Sequence, residues 1–399
     1  MRTAKWPQGL LTLLDVVTAA YATLLGLYLL VGPMDLVVFS ARRFSKVFLA
    51  FLLLVSLRAA IPRESWLTRL WQRGVARLRG AGEALAGRFS WAPAAFDAAA
   101  AILVTRAATL SIAFLALLLI PLDMPRPFTV PFESERFFET FAPWDAGWYF
   151  HIARRGYFHD AVGPSSTAFF PLYPTLMRTL AWPFGGSDRA LWLAGIAISY
   201  ACLFGGLLLL HRLTEKLLGD REAARRTVFF VAVFPFSYFF TQVYTESLFL
   251  LLTVGAVTAA TASRWGWAGA LGGLAAVTRP NGILVAVPLG ILALAGRPNR
   301  RTLAGRAAAL VLVPVALALY SAFVYRLTGD PLGWLHGQAA WGYSVGNRPW
   351  VELMRVLDRR GCGRTVDSER GFGARPDYFS RRDPACGLDW LWRSRDGCR

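Results

Sequence analysis

Long apolar runs recur along this chain, at about 10–31, 44–61, 98–121, 190–210, 227–242, 247–262, 266–280, 282–296 and 307–325. Several reach the roughly 18 to 20 apolar residues that a helix needs to cross a bilayer core, where each backbone polar group must be satisfied within its own segment. This pattern predicts an all-α, polytopic transmembrane helical protein. Other runs are short for a full crossing, which predicts tilted, broken or re-entrant helices. The first run follows Arg2 and Lys5 as a signal peptide would, but it is too long and lacks a clear small-residue cleavage site. It reads as a retained helix.

A formal charge of +18 would suggest nucleic acid in a soluble chain. Here the arginines gather in short loops between apolar runs, where they set orientation, and no nucleic-acid partner is expected. The loop from Pro62 to Pro93 carries six arginines against Glu64 and Glu83. The loop from His211 to Arg226 carries Arg212, Lys216, Arg221, Arg225 and Arg226 against three acids, and a third basic loop runs from Arg297 to Arg306. All three read as cytoplasmic, with an even number of spans between them. Arg42, Arg43 and Lys46 then fall outside, against the charge rule. The same topology gathers three other stretches on the external side: the long loop 122–189, the turn Tyr244-Thr245-Glu246, and the turn Thr278-Arg279-Pro280-Asn281-Gly282. An integral, multi-pass plasma-membrane protein with its active site facing outside is the expectation.

Three regions follow: 1–96, a pair of helices plus a basic cytoplasmic loop; 97–350, the catalytic transmembrane region with its external loop; and 351–399, a polar tail. The tail has no run able to span a membrane, is rich in arginine and acids, and holds Cys362, Cys386 and Cys398. It reads as an out-of-frame or truncated continuation of a longer gene, the other reading being a disordered external tail. With Cys202 in an apolar run, the cysteines lack the close spacing of a zinc or redox site.

The external loop interrupts the apolar pattern with Trp144-Asp145-Ala146-Gly147-Trp148-Tyr149 and Ala168-Phe169-Phe170-Pro171-Leu172-Tyr173-Pro174. Asp145 among Trp144, Trp148 and Tyr149 reads either as a carboxylate whose aromatic wall raises its pKa toward that of a general base, or as the N-cap of an interfacial helix. Glu246, between two apolar runs, must reach water, a partner or a substrate, since a carboxylate at mid-bilayer costs roughly 2.5 to 3.5 kcal/mol. Arg279 with Asn281 and Gly282 offers a guanidinium fork and backbone N–H groups to a phosphate, or it snorkels to lipid headgroups. The 168–174 stretch, taken alone, is also what an aromatic interface belt looks like. His151 and His159 with Asp160 lack the helical pairing of metal ligands, so no metal and no cofactor is expected.

Taken together, Trp144-Asp145-Ala146, Ile152-Ala153 with Gly156-Tyr157, Ala168-Phe169-Phe170-Pro171, Tyr244 with Glu246-Ser247-Leu248-Phe249, and Thr278-Arg279 with Asn281-Gly282 resemble the PIG-V family of membrane mannosyltransferases, within the GT-C superfamily. The resemblance covers about residues 97–326. It implies transfer of mannose from a polyprenyl-phosphate-linked sugar donor to a lipid or glycan acceptor outside the membrane, with Asp145 catalytic. Trp144, Trp148, Tyr149, Phe169, Phe170, Tyr173, Tyr244, Glu246, Arg279 and Asn281 are the expected substrate-binding residues. Gly147-Trp148 and Ser165-Ser166-Thr167 depart from the Glu-His pair and the acidic or His residues of eukaryotic members, which bears on the acceptor. No Asp-x-Asp occurs, as suits a lipid-linked donor rather than a metal-bound nucleotide sugar. Two other readings use the same residues: a glycolipid transporter or flippase with a polar path, and a non-catalytic membrane partner.

Overall fold

The structure, a computed structural model, describes residues 8–31, 34–35, 40–41, 44–59, 61, 69, 73, 76–77, 80, 89–119, 139–160 and 164–338. The tail after residue 351 and most of the basic loop 62–93 lie outside the described residues, so the readings made on them do too. The chain is all-α. Its helices are α1 (Gln8–Val31), α2 (Phe44–Ala59), α3 (Ala92–Leu119), α4 (Ala146–Arg155), α5 (Leu172–Ala181), α6 (Asp188–Leu218), α7 (Arg221–Val233), α8 (Glu246–Thr261), α9 (Trp265–Ala276), α10 (Ala286–Leu294), α11 (Arg300–Leu310), α12 (Leu312–Thr328) and α13 (Gly333–His336). A two-residue antiparallel pairing, Met34–Asp35 with Ser40–Ala41, lies between α1 and α2.

Among the described residues, three helices are long and apolar enough to cross a membrane: 92–117, 188–218 and 300–328, the last being α11 continued by α12. A fourth crossing arises if the 3₁₀ segment Pro235–Thr241 and α8, bent by 96° at their junction, act as one broken span. The apolar run expected at 227–242 is thus two elements. The reason is local: Pro235 has no N–H to continue the helical ladder after Phe234. Pro280 has the same effect in the next stretch, where a 3₁₀ turn (Pro280–Val285) precedes the nine residues of α10.

Helix ends follow side-chain chemistry. Ser187 caps α6 by accepting the Ala190 N–H at 3.2 Å, and Gly219, at φ +68°, closes it by donating to the Glu215 carbonyl. Asp220 then caps α7 through the Glu222 N–H.

Residues 1–156 and 169–320 form one compact unit, and residues 157–168 and 321–399 a second. In the first, α6 is the central helix and packs against α3, α4, α5, α7 and α8. Ala98, Ala101, Leu203, Leu207, Val228 and Ala232 make a buried cluster where α3, α6 and α7 meet. Small residues let other helices approach closely, as helix pairs in lipid require. A Cβ added to Gly269 on α9 would stand 2.0 Å from the Ala309 carbonyl oxygen of α11. Asp15 on α1 and Arg58 on α2, both buried, pair at 2.8 Å, so these two charges compensate each other inside an apolar hairpin.

In the second unit the hydroxyls of Ser165 and Ser166 both donate to the Phe158 carbonyl, and Ser166 Oγ accepts the Phe158 N–H at 2.8 Å. Thr167 reaches the Gly333 carbonyl, and Trp334 Nε1 donates to Ser321 at 2.9 Å. These bonds use serine and threonine hydroxyls to satisfy the loop's backbone groups.

Candidate active site

The segment before α4 is bound edge to edge to the segment before α8. Tyr238 Oη donates to the Thr140 carbonyl at 2.7 Å, the Val243 N–H to Phe141 at 3.1 Å, and Tyr244 Oη to Pro143 at 3.1 Å. In return the Asp145 N–H donates to Tyr244 Oη at 2.8 Å. Between the last two contacts the chain turns at Trp144. Trp144 sits at φ +39°, a left-handed conformation that a bulky L-residue rarely adopts and that persists only where its surroundings impose it.

Asp145 stands at the N-cap position of α4, yet its backbone is already helical (φ −75°, ψ −10°) and its side chain makes no capping hydrogen bond. The capping alternative is therefore not realised. Helix α4 buries Ala146 through Tyr149 and His151 through Ala153, with Arg154 and Arg155 in its last turn. Those cations suit the negative end of the helix dipole.

The turn at Trp144–Asp145, the 244–246 turn and the 278–282 turn meet in the first unit. Glu246 opens α8, and its Oε1 accepts Arg279 Nη1 at 2.6 Å, an ion pair only partly open to solvent. Glu246 Oε2 is buried with no hydrogen-bond partner among the described residues. Arg279 also lies over the Phe249 ring at 5.9 Å. Both charges act on Asp145. Burial pushes its carboxyl up to about 6, the Glu246 carboxylate adds to the rise, and Arg279 partly offsets it.

Aromatic rings close the other side. Trp148 stacks on Phe169 at 5.2 Å, while Tyr149 meets Phe169, Tyr173 and Tyr244 edge to face. Tyr149 is buried, and burial raises its hydroxyl well above the usual phenol range. Trp144 is 62% exposed and packs one face against Phe239 at 5.8 Å. Two expected ligand contacts are placed elsewhere: Phe170 and Tyr173 are 1% and 0% exposed. Phe170 packs on Tyr320, and Tyr173 spends its hydroxyl on Ser199 and the Gly195 carbonyl. As they stand they back the wall and do not face a ligand. Asn281 is exposed in the 3₁₀ turn that follows Arg279.

Burial and Arg155 hold His151 down to about 4, so it is neutral at pH 7. Among the described residues no three His, Cys, Asp or Glu side chains gather as a metal site.

Sequence reasoning passed over Tyr238, Phe239 and Arg106. The first two sit inside an apolar run and gave no signal. Arg106 did give one, as a lone cation within the 98–121 run, and the structure shows its use: its guanidinium donates to the carbonyls of Ala232 and Ser237 and to Ser237 Oγ. Both carbonyls flank the break at Pro235, Ala232 in the last turn of α7 and Ser237 in the 3₁₀ segment that follows. Arg106 thus supports the same break that leads into Tyr244 and Glu246.

Residues 102–297 match the model of the mannosyltransferase (PIG-V) family, and Asp145, Tyr244, Glu246 and Arg279 all lie within the match. This chain is PIG-V-like. Over 188 residues it is 28% identical to GPI mannosyltransferase 2 of Yarrowia lipolytica, an alignment covering 45% of this chain and 50% of that protein. Over 112 residues it is 25% identical to GPI mannosyltransferase 2 of Drosophila pseudoobscura pseudoobscura, covering 27% of this chain and 24% of that protein. The PIG-V-like chain thus spans half or less of the curated relatives it matches. No solved structure matches it. Its long apolar helices and its similarity to that family together make it an integral membrane protein.

Proposed function

We propose that this PIG-V-like chain is a mannosyltransferase that takes mannose from a polyprenyl-phosphate donor and passes it, with inversion, to a glycolipid or other acceptor at the external face of the membrane. The observation that carries the reading is Asp145. It is a carboxyl with no capping duty, raised to about 6, beside the Arg279–Glu246 pair and within the segment that matches the family.

In this mechanism an Asp145 carboxylate oxygen takes the proton of the acceptor hydroxyl as that oxygen bonds to the anomeric carbon. The bond from the anomeric carbon to the phosphate oxygen breaks on the opposite face, and its electron pair leaves with the phosphate. An alcohol leaving group needs a carboxylic acid to protonate it, but a phosphate departs already ionised. It needs only positive charge, and Arg279, whose side chain stays about one third open to solvent, supplies that charge. The aromatic rings of Trp144, Trp148 and Tyr149 suit a sugar face and a prenyl chain. The printed names of the two relatives support mannose as the sugar and a glycolipid as the acceptor class.

The test compares membranes carrying the wild-type chain with membranes carrying Asp145→Asn for transfer of labelled mannose from polyprenyl-phosphate-mannose. Loss of transfer by at least ~100-fold at equal protein level is expected. Equal transfer by both would remove Asp145 as the base. Lipid movement retained by the Asn variant without transfer by either chain would favour the flippase reading.

A further inference from the structure

We infer that Tyr244 is a positioning residue, whose hydroxyl holds the Trp144–Asp145 turn in its left-handed form and so aims the carboxylate at the acceptor. The inference rests on the proposed role of Asp145. It assigns Tyr244 a task other than contact with substrate.

Three observations converge on it. The Tyr244 hydroxyl donates to the Pro143 carbonyl at 3.1 Å and accepts the Asp145 N–H at 2.8 Å, so one atom bridges the residues on either side of Trp144. Trp144 carries the strained φ of +39°, and such strain lasts only while neighbouring bonds hold it. The Tyr244 ring is itself immobilised, being 6% exposed and packed against Phe239 at 5.2 Å and Tyr149 at 6.1 Å. The alternative way to fix this turn, a capping bond from the Asp145 side chain, is unused. Holding Asp145 from its backbone leaves the carboxylate itself available for proton transfer. Displacement of a catalytic group by about 1 Å can cost on the order of 100-fold in rate, which sets the scale of what such a clamp protects.

The experiment is Tyr244→Phe in the full chain in native membranes, beside Asp145→Asn and Tyr238→Phe. The phenylalanine keeps the ring contacts and removes both hydrogen bonds at the turn. With the turn released, kcat is expected to fall about 30-fold with the KM for polyprenyl-phosphate-mannose within about twofold. The acid limb of kcat/KM should move to lower pH, because a relaxed turn lets water reach a carboxyl whose neighbours are Glu246, Arg279, Tyr149 and Tyr244. Tyr238→Phe removes a bond of similar length from the same segment, five residues from Asp145, and should leave that limb in place.

A Tyr244→Phe enzyme with wild-type kcat and limb would overturn the inference while Asp145→Asn stayed inactive, leaving the base assignment standing. An equal limb shift in Tyr238→Phe would overturn it as well, since the effect would then belong to the whole segment. Full activity in Asp145→Asn would instead sink the reading on which the inference stands.

Discussion

At the residue scale, the environment of Asp145 decides what its charge can do. A base must be ionised, so transfer should rise through a pH near 6 and level above it. Glu246→Gln removes the negative neighbour that helps raise this carboxyl and should draw the midpoint of that rise to lower pH, which a pH–rate profile reads directly. Stability carries the opposite sign. A folded-state value above the unfolded one means that the folded protein binds the proton more tightly. The site therefore loses stability as pH climbs from the ordinary aspartate range through about 6. Asp145→Asn should accordingly be inactive yet melt ~2 °C higher at pH 8 in detergent, a function–stability conflict that thermal unfolding of both forms would show. Arg279→Ala would leave Glu246 uncompensated. Because both partners are partly exposed, the loss should be about 2 kcal/mol and not the larger cost of a fully buried pair. Chemical denaturation measures it.

At the element scale, the site depends on how closely one turn can approach one helix. The 3₁₀ turn that follows Arg279 lies on α9 so tightly that a Cβ on Gly282 would stand 2.0 Å from the Ala275 carbonyl oxygen. Backbone cannot yield by that amount without moving Arg279. Gly282→Ala is therefore expected to lower both folded yield and transfer. Gly290→Ala in α10, where an added Cβ meets nothing within 4 Å, should be neutral or stabilising by about 0.5 to 1 kcal/mol. Parallel assays of expression and transfer separate the two. The elements were unequally legible in sequence. Long apolar stretches such as those of α3 and α6 announce themselves by length. Residues 227–242 read as one stretch because hydropathy does not register that Pro235 lacks an N–H, so the end of α7 and the 3₁₀ segment after it are not told apart.

At the scale of the whole molecule, chemistry-bearing residues far apart in sequence are brought together by helix packing. Asp145 and Arg279 belong to loops separated by α4 through α9, and the hub helix α6 against α5 and α8 fixes how those loops meet. Arg106 contributes from a distance by holding the carbonyls at the break before Tyr244. Arg106→Met should take a charged donor from both and reduce folded protein severalfold, which fluorescence-detected size-exclusion of tagged protein would report.

The sequence by itself determined that the chain is helical and membrane-embedded, because a bilayer admits few structures and runs of apolar residues record the choice. It also pointed to Asp145, Glu246 and Arg279, since a charge beside apolar runs needs a reason to be there. Tertiary structure decided which reasons apply: Arg279 turns to Glu246, the Asp145 side chain does not cap its helix, and Phe170 and Tyr173 face inward. It alone revealed the Tyr244 clamp, because a hydrogen bond across 99 positions leaves no trace in local spacing. Composition and periodicity report what each segment does with its solvent, whereas the direction of a side chain is set by neighbours that only folding supplies.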